Sequence, residues 1–526
     1  MTPATEHLHS VPDFVPTTPD VEVAIIGAGF GGLGAAVELR KAGIESFVIL
    51  DKNTDIGGTW HANTYPGVAV DIPSVYYSFS YLAPQTWSRL FAPGAEVKAY
   101  ADQLADKFEL RPHLRLNTRV TGATWEQDTH RWRIDTENDS FTARFVIGAV
   151  GGLEVPRMPD IPGVDEFAGK VVHTARWDHD YDYGGKRIAV IGTGATALQL
   201  IPELADVASH LTVFQRTPIW VVPKVDFRID WGLKQALDIV PGLRRLVRLA
   251  VMATFDTGVS TAGVFYRTTG PAVRFTGRMI KRWYGTQVRD EKLREQLTPD
   301  YALGCKRPSV SNRYLRTFTR DHVSLITTPI DKITPTAVVT TDGAEHEIDV
   351  LVCATGFKVM ETGATPPFPI HGRGLELGKF WQDNRFQAYQ GVSIPNFPNL
   401  FLITGPYGFA AASYIAMIEC TAAHARRAIT AARDRQATSV EIRQSPHDAY
   451  WRKSLRRHKS ALWQTNDCES SNTYYINTHH DVAAIRPTTH TEMWWGNKHF
   501  PLNHYHYTRD CKNNGVTPNQ GVAHGL

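Results

Sequence analysis

The chain has 526 residues, 42% hydrophobic and 21% charged, which is material for about three or four domains and excludes a disordered or fibrous protein. Lys and Arg number 56 against 53 Asp and Glu, and a net charge of only +3 gives no electrostatic reason for a nucleic-acid partner. Five scattered cysteines, Cys305, Cys353, Cys420, Cys468 and Cys511, form no CxxC pair; the odd count argues against a disulfide framework or zinc knuckle and makes a reducing cytosol (cytoplasmic localisation) the simplest compartment.

Residues 1–19 are rich in Pro, Thr and acids and read as a flexible tail. An apolar strand follows over Val21 to Ile26 and runs into Gly27-Ala28-Gly29-Phe30-Gly31-Gly32, then a helix over Leu33 to Lys41 that Gly43 can stop. A second strand, Ser46 to Leu50, ends in Asp51, and 51 − 27 = 24 residues separate that acid from the first glycine. Gly27, Gly29 and Gly32 let the backbone approach a pyrophosphate at a helix N-terminus, and Asp51 is placed to accept a ribose hydroxyl. The unit then recurs: strand Arg187 to Ile191, turn Gly192-Thr193-Gly194-Ala195-Thr196, helix to Leu204, strand Leu211 to Phe214, then Gln215-Arg216-Thr217. Arg216 occupies the ribose position, again 216 − 192 = 24 residues on; an acid repels a 2′-phosphate, whereas a guanidinium grips it. The first site therefore suits FAD or NAD and the second NADPH, the arrangement of a nicotinamide that reduces a flavin. The absence of CxxC removes a disulfide reductase.

From 225 to 300 the strand pattern fades, and 13 Lys or Arg stand against 8 Asp or Glu, a net of +5. Leu243, Leu246, Val247, Ala250 and Val251 recur at helical spacing with Arg244, Arg245 and Arg248 opposite. Such a helix can lie on a membrane, but a solvated basic face on a helical insertion is the preferred reading. No apolar run reaches about 18 residues, so no integral membrane segment is expected. Strands return at Glu347 to Cys353, before Ala354-Thr355-Gly356-Phe357, and at Leu400 to Thr404, before Gly405-Pro406; a helix over Ala410 to Ala423 follows. Near the end, His499, His504, His506 and Cys511 lack the compact spacing of metal ligands, so no metal is expected. Trp494 and Trp495, with Met493, read as core in preference to a substrate entrance.

Phe167-Ala168-Gly169-Lys170-Val171-Val172-His173-Thr174-Ala175-Arg176-Trp177-Asp178 stands just before the second glycine turn. With its two flanking glycine motifs it resembles the fingerprint of type I Baeyer–Villiger monooxygenases, FAD- and NADPH-dependent flavoproteins; its fixed positions are Phe167, Gly169, His173, Trp177 and Asp178. Other segments resemble the family too: Gly57-Gly58-Thr59-Trp60 through Tyr65-Pro66-Gly67 and Asp71 its flavin-contacting loop, Tyr77 a flavin-contacting tyrosine, and Cys305-Lys306-Arg307-Pro308 its Lys-Arg-Pro segment. The resemblance runs from about Glu22 to Cys420.

It implies an α/β fold of two Rossmann-like dinucleotide-binding domains, the NADPH domain inserted in the FAD domain. The expected division is FAD domain 20–155, NADPH domain 156–224, helical insertion 225–304, NADPH domain 305–370, and 371–526 for the rest of the FAD domain with a substrate-pocket C-terminus. It implies that NADPH reduces FAD, that O2 adds to the flavin as a C4a peroxide, and that a small apolar ketone receives one oxygen to give an ester or lactone. Arg307 is the expected catalytic cation beside the developing negative charge, with Asp71 orienting it. Thr59, Trp60, Tyr77 and Val120 join the expected flavin contacts; Thr193, Gly194, Ala195, Thr196, Arg216, Thr217 and Lys306 the NADPH contacts. His173 is read as a hinge residue and Trp177 as packing. The alternative is a flavin-containing monooxygenase acting on sulfur or nitrogen, against which Trp177-Asp178 and Arg307 discriminate. Thr64, Tyr407 and Phe409 depart from the family pattern and are expected to narrow the pocket or alter flavin contacts.

Overall fold

The computed structural model describes residues 19–509 apart from 85–86, 231, 233–234, 236–238, 362, 411 and 478. The tail expected at 1–19 lies, save for its last residue, outside the described residues, as does Cys511.

Two separate sheets organise the chain. Across the first, the strands run Ile370–His371, Val120–Glu126, Arg131–Thr136, Ser140–Gly148, Val21–Ile26, Phe47–Leu50 and Leu114–Arg115, with Leu400–Leu402 also pairing with Ser140–Gly148. Val21–Ile26 is parallel to both its neighbours, and its side chains alternate between two cores. Val23 and Ile25 face the helices Phe30–Lys41 and Tyr414–Asp434, whereas Ala24 and Ile26 join Trp132, Trp381 and Phe397 on the other side. Burial on both faces is why this strand reads as an unbroken apolar run rather than an alternating one. The two helices cross closely because Gly34 has no side chain; a Cβ there would stand 2.8 Å from Ile418 Cγ2.

The second sheet is wholly parallel, in the order Val323–Ile326, His210–Phe214, Arg187–Ile191, Val350–Cys353, Lys170–His173. Its strands all come from chain between those that leave the first sheet at Gly148 and return at Ile370. The fold is therefore α/β, with one Rossmann-like unit inserted in the other. Several elements differ from the sequence reading at their ends. The first helix begins at Phe30, directly on the glycine turn. The stretch from Glu347 is split, since Glu345–Glu347 belongs to a three-stranded antiparallel sheet and only Val350–Cys353 to the parallel one. The helix expected over Ala410 to Ala423 runs instead over Tyr414–Asp434, where small residues permit close packing.

Helices Leu243–Phe255, Tyr266–Gln287 and Glu291–Leu297 fill the region between His210–Phe214 and Val323–Ile326. The orientation of the first differs from the expected solvated arginine face. Arg248 points inward, donating from Nη1 to Ser78 O at 2.6 Å and lying 3.9 Å from Glu419, while Leu246 is 64% exposed. Four carbonyl or hydroxyl groups of the segment Val75–Ser78 converge on that guanidinium, which outcompetes leucine for the interior position. Among the described residues, no helix is long and apolar enough to cross a membrane.

Candidate active site

Each sheet presents a glycine turn at the C-terminal end of its central strand. Gly27 has φ +110° and its Cβ would meet Ala149 O at 2.5 Å; Gly32 is tighter still, since a Cβ there would reach 1.8 Å from Gly27 O. Gly29 abuts Gly58, whose own Cβ would lie 2.9 Å from Gly29 Cα. The loop carrying Thr59 and Trp60 is thus seated against the turn by glycine-on-glycine contact. Asp51 ends the next strand; its Oδ2 accepts the Ala28 N–H at 2.7 Å and its Oδ1 the Asn53 N–H at 2.9 Å. Val120 opens the strand Val120–Glu126 and its side chain is in the core. In the second unit Gly192 repeats the geometry at φ +109°, 2.5 Å from Ala354 O, but Gly194 has open space before it. Thr193 Oγ1 donates to Thr217 O at 2.9 Å, and Ala195 and Thr196 open the helix. Both helices begin without a side-chain cap, so their first-turn N–H groups and dipoles face the turn, the arrangement a pyrophosphate needs. Arg216 is exposed. Lys306 lies close enough to feel its charge, and burial together with that guanidinium lowers its ammonium pKa to about 8.

Asp71 and Arg307 meet across 236 residues of sequence, one from the loop after the first glycine unit, the other from the second unit. Arg307 Nη2 donates to Asp71 Oδ1 at 2.5 Å. Burial works against the guanidinium's charge, but Asp71 outweighs it and holds the group above its ordinary value. Tyr77 and Tyr475 lie within the field of this pair, and burial raises both phenols above their usual range. Tyr77 OH accepts from Trp60 Nε1 at 3.1 Å, their rings edge to face. A half-buried cation fixed by a carboxylate and flanked by aromatic side chains is a preorganised electrostatic site.

The two units are joined by Tyr65, whose hydroxyl donates to Gln199 Oε1 at 2.9 Å, while Gln199 Nε2 donates to Ala69 O at 3.0 Å. Gly67 is obligatory there, with φ +82° and a Cβ position 2.8 Å from Gln199 O. The fingerprint segment lies on the second unit. Gly169 packs against Asp349 O, Phe167 is buried, and Trp177 is 8% exposed and stacks on Tyr183 at 4.6 Å. Asp178 pairs with Lys170 at 2.5 Å. His173 is buried at the end of its strand; its Nδ1 accepts the Ala175 N–H at 3.1 Å, and burial lowers its pKa. A proton carrier with little exposure and a local backbone bond fits the hinge reading better than direct chemistry.

Several expectations are corrected. Cys305 and Cys468 form a disulfide, with Cα atoms 5.3 Å apart, because Asn466–Ser471 folds over the loop bearing Lys306 and Arg307. Ala302 N–H donates to Asp467 O and Trp463 Nε1 to Gly304 O. The pairing removes the cysteine argument for a reducing compartment. Trp494 and Trp495 are 43% and 60% exposed and not core; only Met493 is buried. Tyr407 is fully buried, and Phe409 packs against the cluster that contains Tyr475. Thr64 Oγ1 bonds to His179 Nε2 at 2.8 Å. His504 bonds to Tyr389 and His499 packs on Trp495. Gln199 and Tyr475 escaped the sequence reading, since neither lies in a spaced motif.

Two glycine-turn units joined through a half-buried cation–carboxylate pair define an oxidoreductase that couples two dinucleotides. A family model described as pyridine nucleotide-disulphide oxidoreductase matches residues 24–238. A Baeyer–Villiger monooxygenase of Streptomyces coelicolor is 37% identical over 483 residues, 90% of each chain. A crystal structure of OTEMO in complex with FAD and NADP superposes with TM-score 0.82 at 26% identity, covering 93% of this chain and 100% of that one. Cyclohexanone monooxygenase from Rhodococcus sp. Phi1, bound to NADP+, gives TM-score 0.82 at 27% identity over 94% and 100%. The chain belongs to the Baeyer–Villiger monooxygenase family.

Proposed function

We propose that this protein is an FAD- and NADPH-dependent Baeyer–Villiger monooxygenase that inserts one oxygen of O2 into a small apolar ketone, giving an ester or lactone. The observation that carries the reading is the Arg307–Asp71 pair, set between the two glycine-turn units. FAD, when bound, supplies the oxygen-activating chemistry and NADPH the reducing equivalents. The uncapped helix at Gly27, Gly29 and Gly32 fits the FAD pyrophosphate, with Asp51 for its ribose; Thr59, Trp60, Tyr77 and Val120 complete that set. Gly192 through Thr196, with Thr217, fit NADPH, and Arg216 and Lys306 supply positive charge for its 2′-phosphate. Arg307 holds a fixed positive charge where negative charge develops on oxygen, and Asp71 keeps its guanidinium in one orientation. Tyr475 and Phe409 exclude water. His173 and the fingerprint strand act at the hinge between the units, and the domain division is that of the sequence reading. The cytoplasm, where NADPH is regenerated, is the proposed compartment.

A panel of linear, cyclic and aryl ketones with a thioether, incubated with FAD-loaded protein and NADPH, tests this reading. Esters or lactones as main products support it; sulfoxide alone would transfer the protein to the sulfur- and nitrogen-oxygenating class.

A further inference from the structure

The helical region has an exposed surface that the site described above does not include. Residues 241–287 contain eight Lys or Arg and a single acid, Asp256. That acid is 8% exposed, and its carboxylate is taken up by the N–H groups of His490 and Thr491 and the Thr491 hydroxyl. The exposed surface of this stretch is therefore free of negative charge. Large apolar side chains stand on it: Leu246, Leu249, Val259, Phe265, Phe275 and Met279 are each 44–64% exposed. Phe275, Met279 and Arg282 follow at i, i+4 and i+7, one face of Tyr266–Gln287, so apolar and basic groups share a stripe. The helix His490–His499 is anchored to this region by the Asp256 cap and adds the exposed Trp494 and Trp495.

Half-buried opposite are Val251, Met252 and Phe255, packed against the buried Ile72 and Tyr76. The leucines are thus outward because the inner face is already filled, and Arg248 is committed to the interior. A soluble surface normally carries both charge signs and scatters its apolar residues singly. Residues 241–287 expose one sign of charge beside several large apolar side chains.

We propose that this surface, formed by Leu243–Phe255, Tyr266–Gln287 and the Trp494–Trp495 pair, is a docking face for an anionic lipid bilayer. Tryptophan favours the headgroup level; long basic side chains keep their charge among the phosphates while their stems cover apolar surface; and helices with an apolar face and basic flanks lie in the interface plane. Charge complementarity selects an anionic bilayer, because the stretch itself exposes only basic charge, and the flanking acid Asp467 is engaged by Tyr266 and lies 3.9 Å from Arg274. The proposal is independent of the reaction.

The test is flotation of the full-length, FAD-loaded protein with vesicles of equal parts phosphatidylglycerol and phosphatidylcholine, and with phosphatidylcholine alone. The expected result is co-flotation with the anionic vesicles at low salt and little with the neutral ones. Arg282→Gln should lower partition about fivefold, the factor for one basic side chain near an anionic surface. Leu246→Glu with Phe275→Glu should abolish co-flotation with flavin content unchanged; Trp495→Asp, on a separate element, provides the same readout if that pair fails to fold. Absence of co-flotation with anionic vesicles overturns the proposal, as does partition indifferent to these substitutions. So does light scattering that shows a dimer which Leu246→Glu with Phe275→Glu dissociates, since the face would then cover a second copy.

Discussion

Replacing Arg307 by alanine removes the hydrogen bond of 2.5 Å that joins Asp71 to the second unit, between groups 32% and 20% exposed. Two consequences separate by magnitude. For stability, a pair this accessible to water is screened, so the loss is about 1 kcal/mol, well short of the several kcal/mol of a fully buried pair. For catalysis, a positioned donor aimed at developing negative charge is worth about 10²–10³ in kcat, or about 2.7–4 kcal/mol. The variant should therefore stay folded and flavin-loaded, consume NADPH, and release hydrogen peroxide in place of ester. Arg307→Lys should fall between, keeping the charge but losing the planar fork that Asp71 engages. Parallel assays of NADPH loss, peroxide and ester by gas chromatography, with thermal unfolding, measure each part. Ester formation within threefold of the unmodified enzyme, at equal flavin content, refutes the reasoning.

Four more outcomes follow from the same geometry. The Lys306 ammonium loses its proton near pH 8, so its charge is present below that pH and absent above; the KM for NADPH should rise as pH passes 8, and Lys306→Arg should flatten the profile. Arg216→Ala should raise the kcat/KM ratio of NADH to NADPH by roughly 10- to 100-fold, the loss of about 1.5–3 kcal/mol from a charged hydrogen bond. Gly32→Ala forces a methyl to 1.8 Å from Gly27 O and should abolish flavin-loaded protein, whereas Gly194→Ala meets nothing and should leave folding intact while weakening NADPH binding. Denatured protein should show two additional thiols after reduction, from Cys305 and Cys468; no gain in thiol count would remove that bond from the account.

What was legible in the sequence was local. Both strand–turn–helix units are legible because buried strands are unbroken apolar runs, and because the first glycine of each turn, at positive φ with a carbonyl 2.5 Å from its Cβ position, tolerates no other residue. Arg307 and Asp71 were named from motifs, yet their pairing across 236 residues has no local signal. The Cys305–Cys468 bond was missed for the same reason; spacing of 163 residues carries no information until Asn466–Ser471 folds over the loop. The inward turn of Arg248 shows a further limit. Periodicity locates an amphipathic helix, but the carbonyls of Val75–Ser78 decide which face is inside. Gln199 links the units through one side-chain amide, a role composition does not mark.

The most direct test of the central claim is a single incubation of FAD-loaded protein with NADPH, cyclohexanone and 18O2, followed by mass spectrometry of the product. The account predicts a lactone carrying one 18O atom, formed in proportion to NADPH consumed. A lactone without label, or complete NADPH consumption with labelled hydrogen peroxide as the sole oxygen product across the whole ketone panel, would contradict it.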